Sequence, residues 1–348
     1  MTAMTLTASL LSGDRLALAR LLSQVENDTP EGRTALNELF PFAGRAHRIG
    51  VTGAPGTGKS SLVNQLAHYY RKPSDGETTP RVAIVAIDPT SPFTGGAILG
   101  DRVRMRDLAG DPGIFIRSMA SRGSLGGLAA TTSGIVQIFD AAGFDIILIE
   151  TVGAGQTEVD IARLAHTTLV VEAPGQGDDI QTIKAGILEI ADVLVVNKSD
   201  LPGADNTERL LRSMLELAHP VPHVFHHRRN APPGGDTPPG RLYRSSPPSS
   251  LWVPPIQRTV ATQGSGSPDL AAAIVHHRTY LQQTGEWQQR ERSRLQSELD
   301  TLLEETLVTR WRLTVPEENY QSVLAALTER RLSPYQAVES LLSGARSE

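Results

Sequence analysis

The segment Gly53-Ala54-Pro55-Gly56-Thr57-Gly58-Lys59-Ser60 constrains this chain more than any other. It fits G-x-x-x-x-G-K-[ST] at every position, a pattern that works only as the turn between a strand and a helix. The flanks supply both. Arg48-Ile49-Gly50-Val51-Thr52 reads as a short buried strand, and Ser61-Leu62-Val63-Asn64-Gln65-Leu66 opens an amphipathic helix. Glycines let the backbone curl around an oxyanion, so that successive N–H groups and the helix N-terminus face phosphate oxygens. In such a loop a lysine at the position of Lys59 reaches the β- and γ-phosphates, and a hydroxyl at Ser60 can ligate Mg²⁺. A Gly-rich turn that binds nothing would not need the complete pattern in this setting, so the loop is read as a nucleoside-triphosphate site.

Lysine usage sharpens the reading. The chain carries 33 Lys+Arg, and only Lys59, Lys72, Lys184 and Lys198 are lysines. A lysine kept against such an arginine bias marks a place that needs a compact ammonium rather than a planar fork. Lys59 lies in the phosphate loop and Lys198 in Asn197-Lys198-Ser199-Asp200, which draws attention to Lys184. The remaining composition excludes classes of partner. A net charge of −5 and a pI near 6.0 carry no basic footprint for nucleic acid. No apolar run approaches the ~18 residues of a membrane span. The absence of cysteine excludes disulfides and thiolate metal sites. With no signal peptide evident at the N-terminus, the expected location is the cytoplasm.

Short β-branched runs alternate with helical segments from about 45 to 265: Ile49–Thr52, Val82–Ile87, Ile114–Ile116, Ile146–Ile149, Leu169–Val171, Val193–Asn197 and Ile256–Val260. Near-continuous apolar strands separated by helices predict an α/β domain, a doubly wound and mostly parallel sheet covered on both faces. Functional loops then gather at the carboxyl ends of the strands. Residues 1–44 read as an N-terminal helical extension and 266–348 as a C-terminal helical arm. Eight of the 23 prolines fall within 226–255, which reads as a surface insertion in the α/β domain. Glu286 to about Trp311 reads as a helix close to 40 Å long at ~1.5 Å per residue, too long for one small domain. Its apolar side predicts an arm that packs on a second copy, hence a homodimer.

Three further motifs each follow a predicted strand. In Asn197-Lys198-Ser199-Asp200, the Asp200 carboxylate can accept both N1–H and N2–H of guanine, a pattern adenine does not offer. Asn197 would tie this loop to the phosphate loop, the Lys198 stem would lie along the base, and Ala261-Thr262 could add backbone contacts. Glu150-Thr151-Val152-Gly153 stands where Ras-like GTPases carry D-x-x-G; the acid orients a metal-bound water and the Gly153 N–H reports on the γ-phosphate. Ala154 fills the slot of the water-orienting glutamine, and Gln156 lies two residues beyond, so slow intrinsic hydrolysis is expected. Asp88, in Asp88-Pro89-Thr90-Ser91, and Asp101 can converge with Ser60 on a hard cation; Asp88 alone would also serve as a helix cap.

Together, G-A-P-G-T-G-K-S, D-P-T-S-P-F-T-G-G-A-I-L-G-D-R-V-R-M, E-T-V-G-A-G-Q-T-E and N-K-S-D resemble the MeaB/ArgK family of P-loop GTPases over about residues 45–225. That family is similar to metallochaperone GTPases serving hydrogenase and urease. The resemblance implies a GTP/GDP- and Mg²⁺-binding chaperone of an adenosylcobalamin-dependent acyl-CoA mutase of the methylmalonyl-CoA mutase type. A cobalamin adenosyltransferase is a further candidate partner. It implies that Asp88, Asp101 and Glu150 surround the Mg²⁺, and that Glu172 through Lys184 forms a further switch, with Arg104, Asp178 and Lys184 at its charged positions. It also implies a homodimer through the C-terminal arm. The family usually shows V-G-V-G-Q-S-E where this chain has Val152-Gly153-Ala154-Gly155-Gln156-Thr157-Glu158, a conservative departure. Within the class, a nickel or zinc metallochaperone competes with this reading, but the missing cysteines and scattered histidines count against it. A kinase linked to amino-acid transport and a nucleotide-dependent scaffold without turnover compete from outside it.

Overall fold

All seven β-branched runs are strands of one sheet in the computed structural model, which describes residues 3–72, 79–89, 105–108, 110–121, 127–151, 157–175, 188–217 and 251–344. The strands are β1 (His47–Thr52), β2 (Val82–Pro89), β3 (Ile114–Ser121), β4 (Ile146–Thr151), β5 (Thr167–Glu172), β6 (Val193–Val196) and β7 (Ile256–Arg258). They lie in the order β3-β2-β4-β1-β5-β6-β7, and every pairing is parallel. A parallel pair cannot close by a hairpin, so each connection must cross over a face, and the helices do this. The chain leaves β1 toward one edge and returns past it to the other. The carboxyl end of β1 therefore sits at the crevice where the strand order reverses, the usual ligand position in such sheets.

Both faces are buried, which is why the strands read as continuous apolar runs. Alternate residues divide between two cores. On one side Ala83, Val85, Ile87, Ile147 and Ile149 meet the N-terminal helices α1 (Ala3–Leu11), α2 (Arg15–Glu26) and α3 (Pro30–Leu39), together with α5 (Gly127–Ala141). On the other, Ile49, Val51, Ile84 and Leu148 meet α4 (Lys59–Tyr70) and α8 (Ser267–Thr284). A third cluster joins Val170, Leu194 and Val196 to α6 (Thr157–Leu164) and α7 (Ala204–Leu217). Gly50 is required on β1: a Cβ there would stand 2.5 Å from Ile161 Cγ2 on α6. Helix α8 has Gly266 and Gly285 as its left-handed caps. The last strand is shorter than expected; Val260 instead pairs antiparallel with Ser265 to close a turn.

The amino ends of β1, β5 and β6 carry a buried polar network that clamps α9 (Glu286–Thr314), a helix of 29 residues. Arg290 grips Asp192 with both terminal nitrogens, at 2.9 and 2.8 Å, and also donates to the His166 carbonyl at 2.7 Å. Glu291 meets Arg48 and, at 2.8 Å, His166 Nε2. The Arg48 N–H donates to His166 Nδ1 at 3.1 Å, and Nε2 faces both Glu291 and, at 2.7 Å, a terminal nitrogen of Arg48. Trp287 stacks on the same imidazole at 3.7 Å. Thr167 Oγ1 lies between His47 Nε2 at 2.8 Å and His277 Nδ1 at 2.9 Å. His277 Nε2 stands 3.3 Å from Asp192 Oδ1, an ion-pair distance without hydrogen-bond alignment. Burial pushes the Asp192 carboxyl up, but the Arg290 guanidinium and His277 outweigh it and hold the group well below the usual carboxylate range. Burial first, then neighbouring arginines and histidines, holds His47 and His166 well below an ordinary imidazole.

The chain divides into two compact units, Met1–Arg294 and Leu295–Glu348. The N-terminal helices share the core of the first unit. So does α8, with Leu270, Ala273 and Ile274 buried, so the helix expected to open the arm belongs to that unit. In the second unit the described buried apolar residues are Ala326 and Ala337, on α10 (Glu317–Thr328) and α11 (Pro334–Gly344). Leu299, Leu302, Leu303, Leu307 and Val308 on α9 are exposed. Ser333 and Gln336 exchange hydrogen bonds at the start of α11, a reciprocal cap. No helix among the described residues is long and apolar enough to cross a membrane.

Candidate nucleotide-binding site

The phosphate loop leaves a fully buried β1 and enters α4 at Gly58, whose φ of 92° is left-handed. Gly53 is obligatory as well: its φ is 137°, and a Cβ would fall 2.1 Å from the Val171 carbonyl oxygen on β5. Lys59 is buried, and its ammonium donates to the carbonyls of Gly53 at 2.8 Å and Ala54 at 2.9 Å. The loop's own oxygens thus hold the charge inside its curl. Pro55 and Gly56 are exposed at the tip, and Ser61 is exposed on the first turn of α4.

Ser60 Oγ donates to Glu150 Oε1 at 2.6 Å. Glu150 lies near the carboxyl end of β4, in register with Val51 of β1 and Ala86 of β2, and is only 5% exposed. The backbone of Asp88 lies two residues beyond Ala86 on β2, at the same end of the sheet. The hydroxyl and the carboxylate that the sequence assigned to one cation are therefore in contact. Oxygen donors suit Mg²⁺, which keeps waters and binds through one or two carboxylates plus substrate phosphates. Among the described residues no group of three His, Cys, Asp or Glu could hold a metal by itself. One hydroxyl and one near carboxylate fit a cation shared with phosphate. Asp101, Arg104, Gly153, Ala154, Gln156, Asp178 and Lys184 lie outside the described residues.

Asn197 joins the two halves of the site. Its Nδ2 donates to the Thr57 carbonyl at 2.8 Å, and its Oδ1 accepts from Thr259 Oγ1 and Ala261 N–H, each at 3.1 Å. All of this is buried, and it is the tie predicted between the base loop and the phosphate loop. Gly58 must lack a side chain here too, since a Cβ would meet Asn197 Nδ2 at 2.4 Å. Lys198 has a left-handed φ of 54°, and its ammonium donates to the Gly56 carbonyl at 2.7 Å, so its stem spans from base loop to phosphate loop. Asp200 is exposed at the mouth, as a base acceptor must be, and Thr262 is exposed on the adjoining turn. Sequence reasoning does not single out Thr259. The available signal is a threonine directly after the last strand, two residues before the Ala261-Thr262 pair.

This arrangement, a parallel doubly wound sheet with a phosphate loop after its central strand and an Asn-anchored base loop two strands away, defines a P-loop nucleotide-binding protein. The profile of the Methylmalonyl Co-A mutase-associated GTPase MeaB matches residues 18–315, and the chain belongs to the MeaB family. Among its relatives, a putative GTPase of Pyrococcus abyssi is 40% identical over 330 residues, covering 95% of this chain and 93% of the relative. GTPase ArgK of Escherichia coli is 33% identical over 284 residues, covering 80% and 77%. The solved structure of a LAO/AO transport system kinase superposes with a TM-score of 0.68 at 25% identity, covering 99% of this chain and 98% of that one.

Proposed function

We propose that this chain is a Mg²⁺-dependent GTP hydrolase with slow intrinsic turnover that acts as a chaperone of an adenosylcobalamin-dependent acyl-CoA mutase of the methylmalonyl-CoA mutase type. The observation that carries the hydrolase reading is the 2.6 Å contact between Ser60 and Glu150 beside a lysine held inside its own phosphate loop. The family's description supports the mutase as client.

On this reading the loop amides and Lys59 bind the β- and γ-phosphates and take up charge that develops between them. Ser60 would hold a Mg²⁺ ion with Asp88, Asp101 and Glu150 around it, which would supply positive charge to the phosphate oxygens. Asp200 selects guanine, and Asn197 fixes the distance between base and phosphate sites. Ala154 leaves the attacking water without a glutamine, so the resting enzyme is slow. The segment from Glu172 to Lys184 completes the site when the mutase docks, with Lys184 steadying the γ-phosphate. The exposed leucines of α9 are the surface for a second copy of the chain.

The test is single-turnover GTP hydrolysis with and without a cognate mutase. Wild type is expected to be accelerated at least about 10-fold, ~1.4 kcal/mol off the barrier. Lys59→Ala is expected to lose nearly all hydrolysis, and Lys184→Ala to keep the basal rate while losing the acceleration. No stimulation by any cobalamin-dependent mutase would overturn the chaperone reading, and undiminished hydrolysis by Lys59→Ala would overturn the site.

A further inference from the structure

The Ala54–Pro55 peptide is a weak point in a phosphate loop, because proline supplies no N–H to a ligand or to the loop. Its one polar group is the Ala54 carbonyl oxygen, and the structure surrounds that oxygen. Lys59 Nζ donates to it at 2.9 Å, and so does the Thr57 hydroxyl, also at 2.9 Å; the Thr57 N–H is more distant at 3.4 Å. A carbonyl oxygen has two lone pairs, and the ammonium and the hydroxyl fill them. Thr57 is completely buried, and its own carbonyl takes the Asn197 amide at 2.8 Å. One residue thus bonds the Pro55 peptide through its side chain and the base loop through its backbone.

We infer that the Thr57 hydroxyl is a positioning group for the phosphate cradle: it turns the Ala54 carbonyl back into the loop, away from the phosphate side, and fixes the oxygen against which Lys59 is aimed. The pattern G-x-x-x-x-G-K-[ST] leaves position 57 open, so this role belongs to the chain's own choice of threonine. A valine of the same shape would keep the packing and the backbone carbonyl, and so keep the Asn197 tie, but would leave the Ala54 oxygen to Lys59 and the longer backbone contact from residue 57. The lysine then has a less defined seat, and phosphate binding weakens without any change at the base. A merely structural hydroxyl would lower thermal stability instead and leave phosphate affinity alone.

This inference rests on the loop binding phosphate, but not on the choice of base, so the decisive probe is inorganic pyrophosphate alongside GDP. Calorimetric affinities are compared for wild type, Thr57→Val, Thr57→Ser and Asn197→Ala. Thr57→Val is expected to weaken pyrophosphate and GDP by the same factor, roughly tenfold, the worth of one buried hydrogen bond. Thr57→Ser, which restores the hydroxyl, is expected to recover most of it. In steady-state hydrolysis the valine variant should raise KM for GTP with little change in kcat, because the hydroxyl serves ground and transition states alike. Asn197→Ala should weaken GDP more than pyrophosphate. Wild-type affinity for pyrophosphate in Thr57→Val overturns the inference, as does a serine variant that fails to rescue. Pyrophosphate binding with equal affinity for GDP and ADP would remove the guanine assignment and leave the Thr57 result standing.

Discussion

Replacing Asp192 by alanine should be among the most damaging single changes in the first unit, although it lies at the opposite end of the sheet from the nucleotide loops. The carboxylate is 3% exposed and accepts from both terminal nitrogens of Arg290 and from the Thr168 N–H at 2.8 Å. Truncation leaves a guanidinium, its side chain only 17% exposed, with the His166 carbonyl as its remaining partner in this group, and it strips the Thr168 amide. Breaking one side of a buried ion pair costs about 3–5 kcal/mol. For a unit of this size each kcal/mol moves the midpoint by about 2 °C, so Asp192→Ala should lower Tm by about 6–10 °C. The double variant Asp192→Leu with Arg290→Met leaves no orphaned charge, so its loss should be well below that of Asp192→Ala alone. Thermal unfolding followed by circular dichroism at pH 7.5 measures both. The pH dependence has a definite sign. His47 and His166 titrate well below the unfolded value of about 6.5, so the unfolded chain binds more protons once pH falls beneath it. Stability is therefore full above pH 6.5 and declines below it, by up to about 1.4 kcal/mol per histidine per pH unit until the folded groups protonate. Asp192, held low, adds a loss only at still lower pH, as its folded carboxyl protonates. A shift under 2 °C for Asp192→Ala, or flat stability between pH 6.5 and 5.5, would refute this account of the clamp.

Two further outcomes are expected. Asp200→Asn should reduce the preference for GDP over ADP by at least about tenfold, since one of two paired acceptors becomes a donor; calorimetry with both nucleotides measures it, and an unchanged ratio would remove Asp200 from recognition. Full-length protein should be a dimer by light scattering, and Leu303→Glu with Leu307→Glu should make it monomeric, because both leucines lie on the exposed side of α9; a dimeric double variant would place the interface elsewhere.

The strands and the phosphate loop were legible because their signals are local. A fully buried parallel strand must be an apolar run, and the glycines at 53 and 58 report backbone geometry no other residue tolerates. The tie from Asn197 to the phosphate loop was legible because a family of loops solves the same problem in the same way. The clamp on α9 was not. Its members lie far apart in sequence, His166 and Glu291 by 125 positions and Arg48 and Glu291 by almost twice that, and each alone reads as a polar residue near a strand or on an exposed helix. The histidines look scattered along the chain, yet the fold gathers His47, His166 and His277 around Thr167 and Asp192. The place of α8 is hidden for a related reason. Its Ala271, Ala273 and Ile274 are too small a stripe to announce burial until the α4 face they cover is known.

The all-parallel order also sets a timetable for synthesis. The amide that holds the Thr57 carbonyl is 140 residues downstream, and the backbone group that steadies that amide is a further 64 residues on. At about 5–20 residues per second the ribosome releases the phosphate-loop sequence roughly 10–30 s before Asn197 exists to complete it. For most of that interval β1 also lacks both neighbours, β4 and β5, and Gly53 has no Val171 to rest against. A nascent chain shorter than this carries the whole motif and no site, so nucleotide capture can begin only when nearly all of the sheet has been made.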